Sequence, residues 1–128
     1  MAPAESCPGG YIAHLLTEKA GSSTTFKGGV VSYANDAKEA ALGVQHQTLV
    51  THGAVSEETV IEMATGVLSL MKADYAIATS GILGPDGGTK EKPVGTVWIA
   101  VADGDEVRTT KYFVRFDRRR NIEQTSHY

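Results

Sequence analysis

Between Ser56 and Ala102 the chain passes from a helical apolar period into two buried-strand runs, and this switch most constrains the fold. Val60, Met63, Ala64, Val67, Leu68 and Met71 recur at the spacing of one helix face. Ser56 is a good N-cap for that helix, and Glu57 and Glu58 suit the positive end of its dipole. Asp74 to Ser80 (DYAIATS) and Val94 to Ala102 (VGTVWIAVA) then read as strands buried in a core. Val107 to Phe116 alternates like a half-exposed strand, and Asp103-Gly104-Asp105 before it signals a hairpin. The last two strands are therefore expected to be antiparallel.

The first half follows the same alternation. Ile12, Leu15 and Leu16 give helical spacing from Gly9 to Ala20, with Gly21 as the stop. Phe26 to Ala34 is rich in strand formers, and Asn35 is read as the N-cap of a short helix ending at Leu42-Gly43. Helices separating the earlier strands, with a hairpin at the end, predict an α/β sandwich on a mixed, mostly parallel sheet of about four to five strands. The 128 residues suit one domain. Neither end looks complete: only four residues precede the Glu5-Ser6-Cys7 turn, where a strand is expected. From Asp117 the chain reads as the first turns of a helix that stops at Tyr128, so a single domain trimmed at both ends is expected.

Charge and cysteine content narrow the chemistry. Fifteen acidic against 12 basic residues give a formal charge of −3, which offers no basic face for nucleic-acid binding. Arg118-Arg119-Arg120 is the local exception, and a solvated helix start explains it. Cys7 is the only cysteine, which rules out an internal disulfide or a thiol-rich metal site. His14, His46, His52 and His127 have no metal-ligand spacing, so no metal and no cofactor are expected. No apolar run reaches the ~20 residues of a membrane span, and the N-terminal residues lack the parts of a signal peptide. A cytoplasmic protein without membrane or nucleic-acid partners is expected.

Four segments place unusual residues where chemistry is done. Glu5-Ser6-Cys7-Pro8-Gly9-Gly10 precedes a helix, either as an anion-binding turn or as a plain cap with two permissive glycines. Gly21-Ser22-Ser23 is a small-residue turn, which taken alone reads as an ordinary turn rather than a catalytic one. With Asn35 as N-cap, Lys38 falls at the third helical position, facing the unfavourable end of the dipole. Together with partial burial this would lower an ammonium pKa and suit a general base, although from the residues alone a solvated surface lysine is the plainer reading. The loop Ser80 to Pro93 is glycine-rich, joins two strands and lies where α/β folds bind ligands. It is no P-loop: Gly84 to Gly88 is too short, and Lys90 follows Thr89 in the wrong order. Ser69-Leu70-Met71-Lys72 has a serine–lysine spacing known from penicillin-recognising enzymes, but it ends an amphipathic helix and lacks their partner motifs.

Taken in order, these segments resemble the CinA C-terminal domain family. The matching stretches are Ala4-Glu5-Ser6-Cys7 with Gly9-Gly10, Gly21-Ser22-Ser23, Gly28 to Tyr33, Asn35 to Lys38, His52 to Glu57, Ser80-Gly81-Ile82 with Gly84 to Gly88, Glu91 to Val97, and Asp117-Arg118. The resemblance implies a three-layer α/β/α sandwich, often dimeric, so a homodimer is expected. It also implies a nicotinamide-nucleotide amidase, which converts nicotinamide mononucleotide and water to nicotinate mononucleotide and ammonia. By resemblance the nucleophile maps to Ser23 and the base to Lys38, with Tyr33 relaying or orienting the proton. Glu5, Ser6, Gly9, Gly10, Asn35, Ser80 and Gly81 are then expected to hold the pyridine nucleotide, and Arg118 to pair with its phosphate. Three positions depart from the family: Pro8 stands where threonine is usual, Leu83 replaces alanine, and Phe116 replaces glycine. Pro8 removes a hydroxyl and a backbone N–H from the turn, which keeps a non-catalytic nucleotide-binding or regulatory module as the alternative.

Overall fold

The structure is a computed structural model that describes residues 1–6, 9–18, 21, 26–82, 90 and 92–113. Its elements are β1 (Ala2–Glu5), α1 (Tyr11–Thr17), β2 (Val30–Val31), α2 (Asn35–Leu42), α3 (His46–His52), α4 (Glu57–Met71), β3 (Ala76–Gly81), β4 (Thr96–Ala102) and β5 (Val107–Phe113). The strands form one five-stranded sheet in the order β2-β1-β3-β4-β5. β1 pairs in parallel with β2 and β3, whereas β4 is antiparallel to both β3 and β5. Four strands thus run one way and β4 alone opposes them, the mixed sheet that the sequence predicts.

The strand expected to be missing is present. Residues 2–5 form β1, an interior strand between β2 and β3, and all four are buried. Its sequence, Ala-Pro-Ala-Glu, carries none of the β-branched or aromatic residues by which strands are recognised. Proline is also unusual in a central strand, because it cannot donate to the ladder. Here the missing donor costs nothing. The amides of Ala2 and Ser6 donate to Tyr75 O and Thr79 O on the β3 side, so Pro3 between them faces β2. On that side the chain passes at Gly29, where a Cβ would stand 2.7 Å from Pro3 O. The close approach explains why β2 is only two residues long, although Phe26 to Ala34 reads as a strand.

One face of the sheet is an alanine floor. Ala2 and Ala4 of β1, Ala76 and Ala78 of β3, and Ala100 and Ala102 of β4 align in two rows, each at most 1% exposed. Small side chains let α4 lie close, and its Val60, Met63, Ala64 and Val67 fill the space above with no exposure. Ser56 caps α4 as expected, its Oγ accepting the Thr59 amide at 3.2 Å. α2 packs beside α4, and its last carbonyl approaches so near that a Cβ on Gly66 would stand 2.0 Å from Leu42 O. The opposite face carries a smaller apolar cluster of Ile77, Val97, Ile99 and Tyr112.

Two other differences from the sequence reading have clear causes. His46–His52 forms α3, a helix for which the sequence reading gives no pattern. That helix buries only Leu49, so it leaves no apolar stripe to read. Helix α2 starts at Asn35 with Ala34 as its N-cap, and no side chain caps it. Gly43 does end it, at φ 71°, with its N–H on Glu39 O. The hairpin after β4 is held by Asp103 Oδ1, which accepts the amides of Asp105 at 2.8 Å and Glu106 at 2.9 Å. The Glu106 amide and then the Asp105 amide hold the Asp103 carboxyl below its usual value. Among the described residues, no helix is long and apolar enough to cross a membrane. The helix expected from Asp117 lies outside the described residues.

Gly66→Ala drives a methyl group into the α2 backbone, and overpacking of this kind costs about 1–3 kcal/mol. The melting temperature of Gly66→Ala is expected to fall by roughly 5 °C or more. Gly104→Ala, with open space around it, is expected to stay within about 2 °C of the parent. Equal melting temperatures for the two variants would contradict the packing described.

Candidate active site

Three parallel strands end at one edge of the sheet, and the residues that follow them gather there. β1 ends at Glu5-Ser6, β2 leads into Ser32-Tyr33, and β3 ends at Ser80-Gly81. The order β2-β1-β3 places a topological switch at β1, and α/β sheets bind ligands at the carboxyl ends beside such a switch. The registers Glu5↔Val31 and Glu5↔Thr79 carry on to place Ser32, Ser6 and Ser80 in one row. The Ser32 amide donates to Glu5 O at 2.9 Å, and the Ser6 amide to Thr79 O at 3.0 Å. All three serines are buried.

Glu5 is 1% exposed and occupied. Its Oε1 accepts the amides of Gly10 at 3.1 Å and Ile12 at 2.9 Å, and its Oε2 accepts the Ala13 amide at 3.1 Å. These are among the donors that a helix start leaves unpaired. The chain's own carboxylate therefore fills the anion-binding turn that the sequence suggests. Gly10 reaches this geometry at φ 106°, in the left-handed region that favours glycine. Side chains alternate along β1, so Glu5 projects away from the alanine floor and brings α1 to the second face.

Lys38 is the most unusual side chain of this edge. It is 1% exposed, and its Nζ donates to the Tyr33 carbonyl at 3.1 Å. With α2 starting at Asn35, Lys38 is the fourth helical residue rather than the third, one step further from the dipole's positive end. Tyr33 is 63% exposed, and Asn35 is exposed at the first turn of α2. Ser80 is buried with its Oγ unpartnered, Gly81 pairs with Val97 of β4, and Gly9 is exposed at φ 72°. Ser23 and Arg118 lie outside the described residues, as do Cys7, Pro8 and the loop residues 83–89 and 91.

The serine row continues through paired residues into a cavity of about 400 Å³. Ser80 pairs with Trp98, and Trp98 with Lys111, whose Nζ lies 5.7 Å from the centre of a Trp98 ring. His52, Ser56 and Lys92 line the cavity as well. Lys92 Nζ also donates to the His52 carbonyl. The sequence gives no sign of this cavity, because cross-strand pairing decides which residues meet there.

The profile of the CinA C-terminal domain matches residues 1–128. The chain belongs to this family. It is 58% identical over 99 residues to the nicotinamide-nucleotide amidohydrolase PncC of Escherichia coli K12, covering 77% of this chain and 60% of that protein. A CinA-like protein of Amoebophilus asiaticus is 47% identical over 128 residues, which is the full chain and 31% of the relative. This CinA domain thus spans less than two thirds of either protein. Among solved structures, the competence/damage-inducible protein CihA of Agrobacterium tumefaciens superposes with a TM-score of 0.95 at 44% identity. That match covers 98% of this chain and 77% of the other. The competence damage-inducible protein A of Klebsiella pneumoniae gives 0.96 at 38% identity, covering 99% and 79%. The mixed α/β fold is that of the CinA superfamily.

Glu5→Ala leaves the Gly10, Ile12 and Ala13 amides without their acceptor and is expected to cost about 2–4 kcal/mol in urea unfolding. Glu5→Gln keeps a side-chain carbonyl and is expected to cost less. An unfolding midpoint unchanged in Glu5→Ala would contradict the capping role.

Proposed function

We propose that the chain is a nicotinamide-nucleotide amidohydrolase in which Ser23 is the nucleophile and Lys38 the general base. The observation that carries this is Lys38, buried at the carboxyl edge with its Nζ on the Tyr33 carbonyl. A general base needs a neutral amine, and burial favours the neutral form. The likeness to PncC supplies the substrate class.

In the proposed reaction Ser23 Oγ attacks the amide carbon of nicotinamide mononucleotide while Lys38 takes the hydroxyl proton. The C–N bond then breaks, and Lys38 returns the proton to the departing ammonia. Water, deprotonated by Lys38, cleaves the resulting ester to nicotinate mononucleotide, and Lys38 passes that proton to the departing Ser23 Oγ. Tyr33 orients Lys38 through its carbonyl. With the Gly10 amide and two α1 amides bound to Glu5, the turn and the helix start have fewer donors left for the oxyanion, and the buried Ser80 hydroxyl becomes the stronger candidate. Glu5, Gly9 and Gly10 then shape the site. The substrate phosphate is assigned to Arg118, and the cavity by Trp98 and Lys111 has room for part of a mononucleotide.

Pro8 supports a second reading, a module that binds the nucleotide without turning it over. Ammonia release from nicotinamide mononucleotide separates the two. The parent is expected to turn over, and Lys38→Met to lose about 10²–10⁴-fold in kcat, the usual contribution of a general base. Turnover at the parent rate in Lys38→Met would overturn the base assignment. Calorimetric binding without turnover in the parent would support the second reading, and Pro8→Thr would then be expected to gain activity.

A further inference from the structure

Among the described residues, two buried side-chain oxygens have no hydrogen-bond partner, Ser32 Oγ and Ser80 Oγ. Such groups are rare in folded proteins, and each calls for a reason. Ser80 already belongs to the site described above. Ser32 lies in the same row but has been given no role, although it is fully buried one residue before Tyr33.

Two independent placements put Ser32 and Lys38 on the same side of the sheet. Val30 packs against the core beneath α4, whereas Val31 points toward α1, its Cγ2 3.5 Å from where a Cβ on Gly10 would stand. Alternation returns Ser32 to the α4 side. Lys38 and Leu42 are one turn apart on α2 and both buried, and Leu42 belongs to the core cluster on that side. Lys38 Nζ already lies 3.1 Å from the carbonyl of the residue next to Ser32.

The geometry points to Ser32 as a positioning residue for Lys38, an acceptor used when the lysine carries the proton. This rests on the amidase reading of Lys38. A neutral amine has two N–H donors and a lone pair, whereas an ammonium has three donors to place. Lys38 gains that donor when it takes the proton from the nucleophile and loses it to the leaving ammonia. With Lys38 only 1% exposed, the extra donor is best met by an acceptor that the resting state leaves unused. The Ser32 hydroxyl is such an acceptor. Its lack of a partner in the free protein is then a feature of the resting state of the cycle.

The test measures ammonia release and melting temperature for the parent, Ser32→Ala and Ser32→Thr. In Ser32→Ala, kcat is expected to fall about ten- to a hundredfold, as for a lost hydrogen bond to a charged group, with KM within about twofold. Its melting temperature is expected to be unchanged or higher, because the deleted hydroxyl has no partner to lose. Ser32→Thr, which keeps the hydroxyl, is expected to recover most of kcat. Full kcat in Ser32→Ala beside an active parent overturns this assignment alone. Lost activity with a melting temperature lower by several degrees also overturns it, in favour of a structural role. A folded parent that releases no ammonia overturns the amidase reading and this assignment with it.

Discussion

The fold turns on a four-residue strand with a neighbour on each edge and a layer on each face. β1 offers small side chains to one face, where Ala2 and Ala4 join the alanine floor under α4. To the other face it offers Glu5, whose carboxylate gathers the first amides of α1. Along its edges, the Glu5 carbonyl receives the Ser32 amide, and the Ser6 amide reaches Thr79. One short segment thus fixes where α1 begins, where β2 ends and how β3 is registered. A larger residue at Ala2 or Ala4 would meet α4, and one at Gly29 would meet Pro3.

The carboxyl edge follows from this arrangement. Parallel strands deliver their ends to one place, so residues far apart in sequence come together at the ends of β1, β2 and β3. Small residues in the floor also let α4 and α2 settle close to the sheet, and α2 carries Lys38 into a site with almost no exposure. A long cationic side chain buried this way is costly unless it has partners or a use for its neutral form. The Tyr33 carbonyl is one such partner, and the proposed general base catalysis would give the neutral form a use.

The parts legible in the sequence were those with a local signature. The stripe and Ser56 cap of α4, the apolar runs of β3 and β4, and the Asp103 turn all follow from neighbouring residues. β1 was hidden because burial on both faces selected Ala-Pro-Ala-Glu, which has neither alternation nor strand propensity. α3 was hidden because it buries a single apolar residue. At the site, Lys38 could be singled out from its place near a helix start, though its burial arises from packing and is stronger than the dipole argument implies. The sequence singles out Glu5 but gives no sign that it caps α1, since its partners lie up to eight residues away. The Ser32–Ser6–Ser80 row needed the register of three strands, which no local pattern contains.

The central claim is that this edge performs acyl transfer through Ser23, with Lys38 moving the proton. The most direct measurement is peptide mass spectrometry of the protein quenched rapidly during reaction with nicotinamide mononucleotide. The account predicts an ester-linked nicotinate mononucleotide on the peptide carrying Ser23, formed with release of ammonia. Ammonia release with no covalent adduct, or with the adduct on Cys7, would contradict it.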